Sequence, residues 1–369
     1  MKENWTYKKL GEVCEVLDSK RKPITKSDRQ AGNIPYYGAT GVQDYVKDFI
    51  FDGRFLLVGE DGAKWGKDEN TAYIIEGKSW VNNHAHILKL HDSVVDTFVR
   101  YYLNGKDLTS YITGAVVQKL TQVALISIPI PVPPLPEQKH IVSELDLLQS
   151  IIDKQQAQLK ELDKLAQAVF YDMFGDPVEN EKGWKVMTLG ELCDVYRGGS
   201  PRPIEQYLGG TIPWIKIGDA TKGDDIYLHQ TKEHIIEEGL NKTRFIHSGS
   251  LIFANCGVSL GFARIITFNG CIHDGWLAFD NISNEIEKVF LLKSLNFCTQ
   301  YFRSIAPDGT QPNLNTSIMK SFKQIVPPLT IQKNYIAKIE SIEKQKAAIN
   351  QSIEETQKLF NYTMDKYFG

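Results

Sequence analysis

The chain has 369 residues, enough for two or three domains at about 150 residues each. Apolar residues make up 42% and charged residues 24%, an ordinary globular composition, and no apolar run is long enough to span a bilayer. A net charge of −3 argues against non-specific nucleic-acid binding but leaves room for a local basic face; five cysteines without a CxxC pair read as reduced thiols of a cytoplasmic protein.

Taken in chain order, "WTYKKLGEVCEV" opens at Trp5, with no apolar signal region before it. The basic stretch "KRKPITKSDR" at 20–29 carries five basic residues and one acid. The aromatic, glycine-rich "IPYYGATG" follows and reads as a loop. "RFLLVGE" and "AYIIE" are short buried strands, and "SVVDTFVRYYLNG" at 93–105 is an amphipathic helix closed by Gly105. "GAVVQKL" forms a turn before "PPLPEQKHI" starts a long helix that ends at Gly175. The series then repeats: "WKVMTLGELCDV" from Trp184, "YRGGSPRP" at 196–203, "IPWIKIGD", the strands "SLIFANC" and "ARIITF", a helix from Asn284, "DGTQPNLN", and "PPLTIQKNY". Trp5 and Trp184 lie 179 residues apart, whereas Pro133 and Pro327 lie 194 apart, so the second copy carries an insertion in its middle.

The long helical segments carry a 4-3 apolar stripe. It runs through Leu145, Leu148, Ile152, Leu159 and Leu162 in the first copy, and through Ile339, Ile342, Ile349, Ile353 and Phe360 in the second. Gln155, Lys346 and Thr356 interrupt it and set register. The expected fold is therefore α+β: two pseudo-symmetric α+β domains joined by two helices in an antiparallel coiled coil. The boundaries are 1–132, 133–175, 176–326 and 327–369.

Catalytic patterns fail in context. "GEDGAKWGK" lacks Walker spacing, and Asp68 stands where a hydroxyl residue is needed. "GVSLG" at 257–261 fits a nucleophile elbow, but a strand-like run follows, and the first copy has Lys64 in place of Ser259. His84 and His86 share a strand face, whereas 190 residues on stand Asp274 and Trp276, so no metal pair recurs. "EQK" at 137–139 becomes "IQK", and Glu137 suits the first turn of a helix. No catalytic residue and no metal site is expected. What recurs in order is polar, basic and glycine-rich. The candidate DNA-binding residues are Lys20, Arg21, Lys22, Arg29, Tyr36, Tyr37, Lys64, His84 and Gln118 in the first copy. In the second they are Arg197, Ser200, Arg202, Trp214, Lys216, Ser259, Gln311 and Asn313.

The ordered set "LGEV"/"LGEL", "RGGSPRP", "IPWIKIGD", "LVGEDG", "VNNHAH", "QPNLN" and "IPIPVPPLPEQKHIV" with its helical tail resembles the specificity subunit of type I restriction–modification systems. The second helix start, "PPLTIQ", departs from the family pattern. The resemblance implies that each globule reads one half of a split double-stranded DNA target and that the helices set the gap. It also implies docking of two modification (methyltransferase) subunits that hold S-adenosylmethionine and methylate adenine, with two restriction (translocase/nuclease) subunits as optional partners. The chain itself would hold no cofactor and do no chemistry. Three alternatives stay open at this stage: a recognition module of a related methyltransferase–nuclease, a protein scaffold without DNA, and a hydrolase using Ser259.

Overall fold

The protein is described by a computed structural model covering residues 5–221, 223–307 and 313–369. Gln311 lies outside these residues. Two compact units divide the chain, 1–154 with 352–369, and 155–351. Two 40-residue helices, Leu135–Phe174 and Leu329–Phe368, run through both units, so each unit contains part of each. Pro136 sits in the first turn, where its missing N–H costs nothing, and Gly175 at φ +73 ends the first helix.

In the first unit a six-stranded sheet has the order Cys14–Val16, Ala85–Leu90, Phe51–Gly59, Ala72–Val81, Ala31–Gly38, Gly41–Val46. Leu56, Leu57 and Val58 are all buried because both faces of this central strand are covered. The helix Asp96–Gly105 lays Phe98, Val99, Tyr102 and Leu103 into the same core. Thr6–Lys9 pairs antiparallel with Pro129–Val132, which clasps the start of the globule to its end.

The second unit repeats that clasp, Val186–Thr188 with Lys323–Ile325. Its strands form two sheets. One has the order Asp194–Arg197, Trp276–Asp280, Leu251–Ala254, Ala263–Ile266, Tyr227–Leu228; the other is Glu233–Ile235, Leu208–Ile215, Gly270–Ile272, Arg244–Ile246. The inserted residues lie between Leu208–Ile215 and Leu251–Ala254, where the first unit has only Gly41–Val46. The helix expected from Asn284 is split into Lys288–Phe297 and Thr299–Ile305. Thr299 at the break donates its hydroxyl to the carbonyls of Gly261 and Asn296.

The doubled proline start has a clear structural purpose. Gln138 is buried, accepts from Val95 N–H (2.8 Å), and donates to the carbonyls of Ser93 (3.2 Å) and Pro133 (2.8 Å). Gln332 makes the same set: Glu287 N–H (2.7 Å), Glu285 O (3.0 Å) and Pro327 O (2.7 Å). Val95 and Glu287 are the N-caps of the globules' own helices, so each glutamine satisfies an orphan donor there while fixing the long helix beside it. Glu137, absent from the second copy, accepts from Trp5 Nε1 at 3.0 Å.

Within each unit the start of one long helix lies beside the end of the other, an antiparallel pairing. In the first, Tyr367 Oη donates to Glu144 (2.7 Å), and Ile141 and Leu145 share a core with Met364. In the second, the Tyr335 ring meets Phe170 and Phe174 at 5.5 and 5.2 Å. The stripe does more than the heptad pattern implies, because its ends also enter the globular cores. Leu145 packs with Trp5 and Phe98, and Ile339 and Ile342 pack with Phe290. Each buried aliphatic chain of this kind contributes about 2 kcal/mol. Leu148 and Ile152 are also buried, whereas Leu159, Leu162, Ile349, Ile353 and Phe360 are half-buried. Lys346 sits in the stripe with its side chain 12% exposed, paired with Asp163 (2.8 Å), Glu343 (3.4 Å) and Asp225. The position 194 residues earlier is the buried Ile152.

Candidate nucleic-acid interface

In the first unit the interface is organised by Glu60, which follows the central strand Phe51–Gly59. Its N–H donates to His84 O and its carbonyl accepts from Leu120 N–H, both at 2.8 Å. Its carboxylate holds Arg21 (2.5 Å) and Lys119 (2.6 Å). Arg21 also reaches Asp18 (3.3 Å) and Ala85 O (2.7 Å). The buried His86 bridges Asp18 through Nδ1 (2.5 Å) and Leu120 O through Nε2 (2.7 Å). Burial alone would raise both acids. The His86 contacts, with Arg21, outweigh it at Asp18, and Lys119 and Arg21 outweigh it at Glu60, so both carboxyls stay below their usual range.

This arrangement brings together the segment 20–22, the turn bearing Lys64, His84 and the hairpin bearing Gln118. His84 bonds Asp61, and Asp61 bridges Lys119. Lys20, Lys22, Lys64 and Gln118 are exposed. Arg21 is engaged inside the network rather than presented outward. Asp18, Glu60 and His86 place ligand-type atoms within 4.8 Å of one another, but Arg21 and Lys119 already neutralise the acids and both ring nitrogens are engaged. The cluster fits an ionic lock better than a metal site.

The second unit has the same backbone scheme with different side chains. Asn255 replaces Glu60: its N–H donates to Gly275 O (3.0 Å) and its carbonyl accepts from Leu314 N–H (2.8 Å). Its amide donates to Asn313 Oδ1 and Leu314 O, each at 3.1 Å. Asp274 gathers the loop at 197–203. Its carboxylate accepts from Ser200 (2.9 Å) and meets His273 Nε2 (3.0 Å) and Arg202 (3.4 Å), while its carbonyl accepts from Arg197 Nε (3.1 Å). Burial raises Asp274, and Ser200, His273 and the arginines more than offset it; His273 is lowered, chiefly by burial. Ser259 lies in the 3-10 turn Gly257–Ser259, joined to this corner through the bridge between Cys256 and Asn313.

Several expectations are corrected. "IPYYGATG" is largely strand, and "IPWIKIGD" is strand to Ile215 and then the 3-10 turn Ile217–Ala220: Ala31–Gly38 and Leu208–Ile215 contain Tyr36 and Trp214, which pair parallel with Trp80 and Cys271. The two residues are 1% and 3% exposed, so they support the interface from beneath. Tyr37 is half-buried against Tyr73. Arg29 stacks on Tyr36 (4.2 Å) and pairs with Asp44 (3.0 Å), away from the Glu60 network. Lys216 is paired with Glu233. The ladders align His84 and His86 with Gly275 and Leu277, one residue beyond the 190-residue offset, and again no metal pair recurs. The strand Ala263–Ile266 follows Ser259 where an elbow needs a helix. Burial pushes the thiols of Cys14 and Cys271 up to about 11, and those of Cys193 and Cys298 up to about 12, which keeps them protonated and poorly nucleophilic. Sequence reading missed Glu60, Asp18, Lys119, Asn255 and Asp274, and weighed His86 only as half of a metal pair. Their signal was available only as acids, amides and a histidine beside the repeated glycine turns.

A family profile described as "Type I restriction modification DNA specificity domain" matches residues 2–164 and again 181–357. A putative type I restriction enzyme specificity subunit of Haemophilus influenzae is 29% identical, over 96% of this chain and 93% of its own. The MjaIX specificity subunit of Methanocaldococcus jannaschii is 25% identical, over 90% and 85%. The crystal structure of the S subunit from M. genitalium superposes with a TM-score of 0.60 at 16% identity, covering 99% and 96% of the two chains. With both copies matched across most of their length, the chain belongs to the type I restriction–modification DNA specificity family, as its non-catalytic DNA-recognition subunit.

Proposed function

We propose that residues 1–132 and 176–326 are two target recognition domains, each reading one half of a split DNA sequence, with 133–175 and 327–369 as the spacer. Two methyltransferase subunits dock on the chain, hold S-adenosylmethionine and methylate adenine within the target. Two restriction subunits are optional partners that would cleave unmodified DNA, and the complex works in the cytoplasm. The observation that supports this reading is the repeated corner: in both copies one residue after a buried strand, Glu60 or Asn255, ties a late polar segment to the fold, and a basic segment is held beside it, by Glu60 in the first copy and by Asp274 in the second. Two separate corners of matching design but different chemistry suit two half-sites of different sequence.

The test is reconstitution with the cognate methyltransferase, followed by mapping of methylated adenines. The expected result is a bipartite motif, with no methylation or cleavage by the lone chain. Arg197→Ala and Arg202→Ala are expected to change one half-site only, and Lys22→Ala and Lys64→Ala the other. Methyl transfer by the lone chain, or equal effects on both half-sites, would refute the proposal.

A further inference from the structure

In the first unit the hairpin of Ile112–Thr113 and Lys119–Leu120 carries Val116, 97% exposed, and Val117, 64% exposed, at its tip. Single exposed aliphatics are ordinary, but two together on a raised tip leave methyl groups facing water with nothing to pack on. The tip is braced. Gly114 adopts φ +98, where a Cβ would lie 2.1 Å from Val117 O, and Lys119 is fastened to Glu60. The corresponding tip of the second unit lies outside the described residues. There the neighbouring glycine turn raises Val258, 96% exposed, and Arg303 clamps that turn by donating to Val258 O and Leu260 O, both at 3.1 Å. Turn and late polar segment meet in both units, through the bridges Asp61 to Lys119 and Cys256 to Asn313. Each unit thus holds valine methyls outward from the same corner of its fold, beside the residues assigned to DNA.

We propose that these valines read the C5-methyl group of thymine in the major groove, Val116 and Val117 in one half-site and Val258 in the other. The inference rests on the DNA-recognition reading above. The thymine methyl is the one apolar group on the major-groove base edges. Phosphate and sugar offer valine no comparable partner. Side chains that wedge between stacked bases are typically longer or flatter than valine. Contact between two methyl surfaces removes water from both and discriminates thymine from cytosine without a hydrogen bond.

The experiment uses the complete complex with its methyltransferase and duplexes carrying the mapped target. Thymines are replaced one at a time by uracil, which deletes only the methyl group. One position in each half-site is expected to weaken binding about fourfold, the effect of one buried methyl. The double variant V116A/V117A should become indifferent to uracil in the first half-site and stay sensitive in the second; V258A should do the reverse. Uracil without effect, or a half-site with no thymine on either strand, overturns the assignment for that valine and leaves DNA recognition standing. Variants that lose the methyltransferase rather than the thymine preference identify the tips as protein-docking elements, which also overturns it. A complex with no sequence-specific DNA binding refutes the underlying reading instead.

Discussion

At one branch point of the backbone the first unit has Glu60 and the second has Asn255. The main-chain bonds around them correspond, yet Glu60 is held by Arg21 and Lys119, whereas Asn255 is held by Asn313 and Leu314 O. One corner is locked by charge and the other by amides. In the second unit the charges stand one residue upstream of Gly275, where Asp274 orders Arg197 and Arg202. The comparison teaches that the fold requires a bridge between turn and late segment but does not require a particular chemistry for it. That freedom is what lets two copies of one scaffold present different surfaces.

The strongest way to break the comparison is Glu60→Ala. It leaves Arg21 and Lys119 without their shared partner, and the loss should be about 3 kcal/mol, the low end for a buried pair because Lys119 is partly solvated. Urea denaturation of the full chain checks it. Asn255→Ala should cost less, about 1–2 kcal/mol, since only neutral bonds are lost.

Lys346→Ile extends the test to the helices by copying Ile152 into the second. Asp163, Asp225 and Glu343 would lose their common cation, so a loss of about 2 kcal/mol is expected despite the added apolar burial. A neutral result would show the lysine to be dispensable. Gln138→Leu and Gln332→Leu serve as the matched control. Both break the same three bonds, so their costs, about 2 kcal/mol each, should agree closely.

Asp274→Ala removes the carboxylate that holds Ser200 and Arg202, while the backbone carbonyl that accepts from Arg197 stays. Discrimination at one half-site should fall about tenfold while the other is unchanged, which binding to duplexes altered in a single half-site would measure.

The smallest effect is acid sensitivity. Glu60 and Asp18 have folded-state values held below 4.5 and 3.8. Their stabilisation is therefore full above those values and is lost as pH falls below about 4.5 toward the lowered folded values. Glu60→Gln should flatten the acid limb of the stability profile. An unchanged limb would mean that Glu60 is not ionically locked.

Much of the architecture was legible in the sequence because duplication is a one-dimensional property. The shift from 179 to 194 residues located an insertion, and the 4-3 stripe located both long helices. The proline-glutamine starts were visible as repeats, although the buried bonds of Gln138 and Gln332 were not. Candidate side chains were harder, because a polar or aromatic residue in a glycine-rich stretch does not declare which way it points. Tyr36 and Trp214 read as loop aromatics until parallel strand pairing placed their rings in the cores.

The sequence by itself determined the tandem order, the helices, the absence of any recurring catalytic set, and the family to which the chain belongs. Only the tertiary structure decided which charges are spent inside. Arg21 and Lys22 are neighbours of like charge, yet one is locked beside Glu60 and the other is exposed. The physical reason is that desolvation and ion pairing depend on residues 39 and 98 positions away from Arg21 and brought near by the sheet and hairpin, Glu60 and Lys119, which no local pattern encodes.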